Sequence, residues 1–133
     1  MKKFLFLVGI LFSTIFMTGC SDNAVIMLKS EPFNSQNYME YEHDFQANQR
    51  IYYAVMSPRG FKDTALKIEI FTKNTKAPSL GYSYKYGINV PIDNTKKYYT
   101  DYIVMTTPGL YIMQVFELRR PDKCLARQDF WVR

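Results

Sequence analysis

The sequence has few of the residues on which enzymes most often depend. Among its 133 residues are one histidine, His43, two cysteines and six glycines. It contains no glycine-rich phosphate loop and no Gly-x-Ser-x-Gly motif, and its cysteines lack the spacing of zinc ligands. Converging carboxylates among the twelve acidic residues are the remaining route to catalysis. We therefore expect a protein that is not an enzyme and that uses neither a metal nor a cofactor.

The sequence around the only histidine does not predict a metal site. His43 lies between Glu42 and Asp44 in a segment that alternates like a strand. Neighbouring side chains of a strand point to opposite faces, so His43 diverges from both acids. Glu40, Glu42 and Asp44 share a face, and three carboxylates in such a row are typical of a solvated surface.

The first twenty residues have the composition of an export signal. Lys2 and Lys3 precede an apolar stretch over residues 4–16, which is shorter than the about 20 residues that a membrane-spanning helix needs. Met17-Thr18-Gly19-Cys20 follows, and then the polar Ser21. This segment resembles the lipobox of bacterial lipoprotein precursors.

The resemblance implies a lipid anchor in the cell envelope. Residues 1–19 would be removed, Cys20 would carry diacylglycerol on its sulfur, residues 20–23 would be a short tether, and residues 24–133 would form the domain. Ser21 after the cysteine favours the outer membrane in a bacterium with two membranes. The alternative is an ordinary signal peptide cut near Gly19. With Cys20 lipidated, we expect Cys124 to be a buried thiol and the domain to have no internal disulfide. The alternatives for Cys124 are an intermolecular disulfide or a reactive thiol.

The charge of the chain excludes one class of partner. It has 17 Lys and Arg against 12 Asp and Glu, and removal of the leader would lower the net charge from +5 to +3. No run of basic residues is longer than two. Nucleic-acid binding needs a dense basic face, so we expect no nucleic-acid partner.

The rest of the chain alternates in short runs separated by Pro, Gly, Asn and Asp. The runs that predict strands are 24–28, 38–46, 50–57, 66–73, 82–86, 98–105, 110–118 and 124–132. The last two would form a hairpin around residues 119–122. The pattern predicts an all-β fold, a single antiparallel β-sandwich of seven to eight strands.

The segment Pro108-Gly109-Leu110-Tyr111 adds a more specific feature. A Pro-Gly turn, a tyrosine and an alternating strand that leads into a final hairpin resemble the last two strands of immunoglobulin-like bacterial modules. The resemblance implies a bond from Tyr111 back to the preceding corner. In the final strand, Trp131 alternates with Phe130 and Val132, and we expect at least half of it to be buried.

Tyrosines provide the candidate ligand or partner surface. Tyr82, Tyr84 and Tyr86 alternate along one strand and are predicted to share a face, and Tyr98 and Tyr102 follow on a possible partner strand. An exposed row of this kind can stack on sugar rings or a peptide, whereas a buried row is ordinary cross-strand packing.

The leading hypothesis is a non-catalytic interaction module. A membrane-anchored envelope lipoprotein would dock onto another envelope protein or assembly. The alternative is a glycan- or peptide-binding lipoprotein that uses the tyrosines, with cell-wall glycan as a possible ligand, and a weaker one is an inhibitor of a hydrolase.

Overall fold

The described part of the chain is built from strands. The computed structural model describes residues 24–73 and 81–133, and within them it contains eight strands and no helix. These are β1 (Val25–Lys29), β2 (Asp44–Phe45), β3 (Arg50–Met56), β4 (Ala65–Lys73), β5 (Tyr82–Pro91), β6 (Tyr98–Val104), β7 (Gly109–Glu117) and β8 (Arg120–Val132). No helix in these residues has the length and apolarity to cross a membrane. The predicted signal peptide and Cys20 lie outside the described residues.

The strands form two sheets. The small sheet has the order β1-β3-β6, and the large sheet has the order β2-β8-β7-β4-β5. All neighbours are antiparallel except β2 and β8, which pair in parallel over two residues. The all-β prediction is confirmed.

The core forms because apolar residues alternate along the strands. Leu66, Ile68 and Ile70 of β4 are at most 1% exposed, while the intervening Lys67 and Glu69 face outward and form an ion pair of 2.8 Å. Inward residues of both sheets belong to one buried cluster. Full burial of such a side chain contributes about 1.5–3 kcal/mol, so this cluster is the main source of stability.

The strand that was expected over residues 38–46 is reduced to two residues, and residues 30–42 form a turn-rich segment instead. Only Asp44 and Phe45 have strand geometry. The side-chain oxygen of Asn34 accepts hydrogen bonds from the backbone N–H groups of Gln36 and Asn37, at 2.8 and 3.0 Å. Such Asx turns compete with extended structure, and here they hold the segment in a turn.

This segment, which we call the strap (residues 30–42), crosses the outer face of the small sheet. Lys29, at the end of β1, is 3% exposed, and its ammonium group lies 2.8 Å from the Glu40 carboxylate of the strap. The backbone N–H of Glu42 then donates to the carbonyl of Leu28 at 2.7 Å. The strap is therefore attached to β1 before the chain enters the large sheet.

The expected corner before β7 is confirmed, and the hairpin after β7 differs slightly from the prediction. The Tyr111 hydroxyl donates to the carbonyl of Thr107 at 2.6 Å. The hairpin is tighter than predicted, since β8 begins at Arg120. Asp63, which is 5% exposed, accepts the backbone N–H of Arg119 at 2.7 Å. That bond holds the pKa of Asp63 below its usual value and joins the hairpin to the β3–β4 connection.

Candidate interaction surface

The predicted face of Tyr82, Tyr84 and Tyr86 does not exist, because β5 is irregular between the second and third tyrosine. The β4–β5 register shifts between Ile70 and Phe71. Tyr86 pairs with the buried Ile70 and turns inward, where burial raises its pKa. Tyr84 pairs with Phe71 instead, on the outer face of the large sheet. A bulge of this kind exchanges the two faces of a strand, and local alternation does not reveal it.

Tyr82 and Tyr84 remain on the surface. Their side chains are 38% and 58% exposed. The Tyr84 ring meets the Phe71 ring edge to face at 5.7 Å, and the Lys73 ammonium lies 5.7 Å from the centroid of the Tyr82 ring. These contacts are cross-strand packing of the ordinary kind.

Tyr98 and Tyr102 belong to the other sheet. Their strand β6 pairs with β3, and both side chains lie on the outer face of the small sheet, 53% and 45% exposed. The Tyr102 ring lies 5.9 Å from the Tyr52 ring and 4.7 Å from the Arg50 guanidinium. The five predicted tyrosines therefore do not form one surface.

The outer face of the small sheet and its strap gather exposed apolar side chains. We call this surface the strap face and define it by Val25, Tyr98, Tyr102 and Val104 of the sheet and Tyr38 of the strap, all between 43% and 53% exposed. Exposed apolar residues scattered singly are normal, but a group on one face is typical of an interaction site. Sequence reasoning missed Tyr38 because it placed this residue in a strand.

A cleft of about 580 Å³ opens between the strap and the sheet. It is lined by Phe33, Asn34, Ser35, Tyr38, Ala54, Met56, Tyr98 and Thr100. Its walls carry aromatic rings from both the strap and β6, and no Lys, Arg, Asp or Glu. This volume is in the range of ligand pockets. The lining suits a neutral, largely apolar group.

Comparison with known proteins identifies the fold. No family model and no curated protein matches the chain. An immunoglobulin-like protein from Pseudomonas aeruginosa superposes with a TM-score of 0.54 at 15% identity, over 86% of this chain and 94% of that one. The fold is immunoglobulin-like. The soluble domain of PmoD from Methylocystis sp. ATCC 49242 (Rockwell) superposes with a TM-score of 0.50 at 19% identity, over 88% of this chain and 95% of that one.

The interior of the immunoglobulin-like domain holds two further tyrosines near β6. The Tyr99 hydroxyl lies 3.0 Å from the Asp101 carboxylate, and burial raises the pKa of Tyr99 to about 12. Tyr53 is 0% exposed, and its hydroxyl has no hydrogen-bond partner in residues 24–73 and 81–133. Burial raises the pKa of Tyr53 further still. Both hydroxyls thus stay protonated at neutral pH, which is the opposite of an activated nucleophile.

The surroundings of His43 hold no cluster of metal ligands. The histidine is exposed, its ring meets the Tyr41 ring at 5.1 Å, and its Nδ1 lies 3.3 Å from the amide nitrogen of Gln128. In residues 24–73 and 81–133, no three His, Cys, Asp or Glu side chains come close enough to hold an ion. A second cavity beside His43, of about 640 Å³, lies along β8 and is lined in part by Arg127 and Asp129.

The two remaining outcomes concern β8. Trp131 is 37% exposed between the buried Phe130 and Val132, as expected. Cys124, by contrast, was expected to be an unpaired thiol, and that expectation is wrong because Cys124 is a disulfide cysteine in this structure. The sequence holds only one other cysteine, Cys20, which lies outside the described residues.

Proposed function

We propose that this chain is a lipid-anchored protein of the cell envelope whose immunoglobulin-like domain docks, without catalysis, onto another envelope protein. The observation that carries the proposal is the strap face, whose exposed Tyr38 and Tyr98 also line a neutral cleft. Interfaces of this kind draw their energy from a few aromatic and apolar anchors.

The anchor rests on the lipobox resemblance, and the fold adds a distance argument. β1 begins at Val25, so residues 21–24 are the only link between a lipidated Cys20 and the domain. Four extended residues span at most about 14 Å. Val25 also belongs to the strap face, so that face would lie close to an anchor at Cys20. The partner would therefore be a protein with a surface near the membrane.

A photocrosslinking residue in living cells tests the docking surface. It would replace Tyr98 on the strap face in one variant and Tyr84, similarly exposed on the large sheet, in a matched control. We expect one discrete protein adduct from position 98 and none from position 84, and the adduct should be lost when Tyr38 is also changed to Ser. Equal labelling at both positions, or adducts with lipid alone, would contradict the proposal.

Binding of a neutral glycan or peptide in the cleft is the second candidate. The aromatic rings of Phe33, Tyr38 and Tyr98 and the polar groups of Asn34 and Thr100 favour it, because sugars bind through stacking together with hydrogen bonds. Titration of the purified protein with soluble cell-wall fragments tests it. Loss of binding in Tyr98→Ala, with binding retained in Tyr84→Ala, would support this candidate.

A further inference from the structure

The outer strands of the two sheets differ in how well their free edges are protected. The strap attaches to the edge of β1 through the Glu42 N–H and the Leu28 carbonyl. β5 ends in Pro91 and contains the bulge described above. β2 covers β8 only at its end, but the uncovered part of β8 carries charges of both signs, at Arg120, Asp122, Lys123, Arg127 and Asp129. Prolines, bulges and charges are the usual devices that prevent a sheet edge from pairing.

β6 has one of these devices, the charge of Asp101, whose carboxylate accepts the outward N–H of Tyr102 at 2.8 Å. Its seven residues are Tyr-Tyr-Thr-Asp-Tyr-Ile-Val, with no proline, no glycine and one charge, Asp101. In the described part of the chain, no strand pairs with the edge of β6 that faces away from β3. A long edge of β-branched and aromatic residues is a template for another strand.

The register shows which backbone groups of β6 point away from the sheet. The carbonyl of Lys97 accepts the backbone N–H of Ser57, and that of Met105 accepts the backbone N–H of Asn48. The backbone groups of the odd-numbered residues therefore point toward β3. In an antiparallel ladder the hydrogen-bonding direction alternates from residue to residue. The backbone N–H and C=O groups of Tyr98, Thr100, Tyr102 and Val104 therefore point away from β3. The N–H of Tyr102 donates to the Asp101 carboxylate at 2.8 Å, in agreement with this assignment.

The free edge lies beside the cleft. Tyr98 and Thr100, whose backbone groups face outward, also line the cleft with their side chains. Alternate side chains of an added strand would lie on the same face and reach the cleft, whose lining favours neutral apolar groups. The remaining side chains would lie on the inner face of the small sheet, beside Tyr99, Asp101 and Ile103. Asp101 is exposed on that face and favours a Lys or Arg opposite it.

A second copy of this chain fits the edge poorly. Asp101 is the central residue of β6, so antiparallel pairing of two β6 strands about their centre would place Asp101 opposite Asp101. Like charges directly opposite each other destabilise a pair of strands.

We propose that the free edge of β6 binds an extended segment of the partner protein as a fourth strand of the small sheet. Apolar side chains of that segment enter the cleft, and a Lys or Arg faces Asp101. The inference rests on the proposed function, since it names the part of the partner that the strap face recognises.

Two peptides of seven residues test the edge against the mature protein purified from cells. One alternates Val and Lys, and its matched control alternates Val and Glu. We expect the Val–Lys peptide to bind at least tenfold more tightly and to slow amide hydrogen exchange at Thr100 and Val104 at least tenfold. No binding of the Val–Lys peptide at about 1 mM, equal binding of both peptides, or binding without protection of those amides would overturn the inference.

Variants of two neighbouring residues make the test specific. Thr100→Pro removes an outward N–H that β3 does not use, and it should weaken binding of the Val–Lys peptide at least tenfold. Tyr84→Ala, on the outer face of the large sheet, should bind the peptide like the parent protein. Asp101→Lys should reverse the preference in favour of the Val–Glu peptide, and it serves if the proline variant does not fold. An unchanged affinity in a folded Thr100→Pro protein, or an unchanged preference in Asp101→Lys, would overturn the inference.

The two proposals fail in different ways. If the peptides do not bind but crosslinking at position 98 still captures one protein, docking stands and the edge inference is wrong. Protection of Thr100 that grows with protein concentration and without peptide would show that a second copy occupies the edge, which also overturns the inference.

Discussion

A single hydroxyl group fixes the corner before β7. Tyr111 is 2% exposed, and its hydroxyl donates to the Thr107 carbonyl at 2.6 Å. We expect Tyr111→Phe to lower the free energy of unfolding by about 1–2 kcal/mol, because the ring still packs while the carbonyl loses its partner. Urea unfolding measures the change. Tyr98→Phe, at an exposed position, should change stability by less than about 0.5 kcal/mol, and an equal loss in both variants would contradict the assignment.

Two phenols of the paired strands β3 and β6, Tyr53 buried and Tyr99 partly buried, make the stability sensitive to alkaline pH. The pKa of Tyr99 is raised from 10.0 to about 12, and that of Tyr53 is raised further by burial. Below pH 10 both states keep these protons, and stability is unaffected. Above pH 10 the unfolded chain releases protons that the folded chain retains, so the free energy of unfolding should fall as the pH rises through 12.

Unfolding measured at several pH values between 9 and 12 tests this expectation. Tyr99→Phe should flatten the decline, because one of the raised groups is then absent. If ultraviolet absorbance shows all eleven tyrosines ionising near pH 10 in the folded protein, the burial of these phenols is contradicted.

At the scale of an element, the strap depends on one ion pair at its end. Lys29 is buried, and the Glu40 carboxylate is its acidic partner at 2.8 Å. We expect Glu40→Gln to loosen the strap, because the buried ammonium loses its counter-charge. Limited proteolysis should then cut within residues 30–42 several times faster. Glu31→Gln, an exposed strap position, is the matched control, and equal acceleration in both variants would contradict the role of the pair.

Elements whose sequence alternates over their whole length are predictable, and those set by distant contacts are not. The inward positions of β4 and the corner at Tyr111 follow from local pattern, because each depends on neighbouring residues. The strap does not, because its path is fixed by bonds between residues 28–29 and 40–42. The inward turn of Tyr86 depends on a bulge against β4, which likewise has no local signal.

For the whole molecule, the two cysteines set the proposed anchor against the disulfide. A diacylglyceryl thioether and an intrachain disulfide of Cys124 would both need the sulfur of Cys20, so the proposed lipid-anchored form cannot hold the disulfide that Cys124 makes in this structure. We expect Cys20→Ser to move the protein from the membrane fraction to the soluble fraction, while Cys124→Ser stays with the membrane. Cell fractionation measures both. An unlipidated mass for the parent protein, with two hydrogens lost to a disulfide, would contradict the anchor.

The proposed tether leads into β1 and the free edge belongs to β6, and this arrangement has a mechanical consequence. Both strands belong to the small sheet, with β3 between them. Tension between a membrane and a partner strand on β6 would cross five residue pairs from β1 to β3 and seven from β3 to β6. The strand pairs of the five-stranded sheet would not lie on that path. The strand pairs of the smaller sheet would thus set the force at which the link breaks. The larger sheet would contribute through its packing against the smaller one.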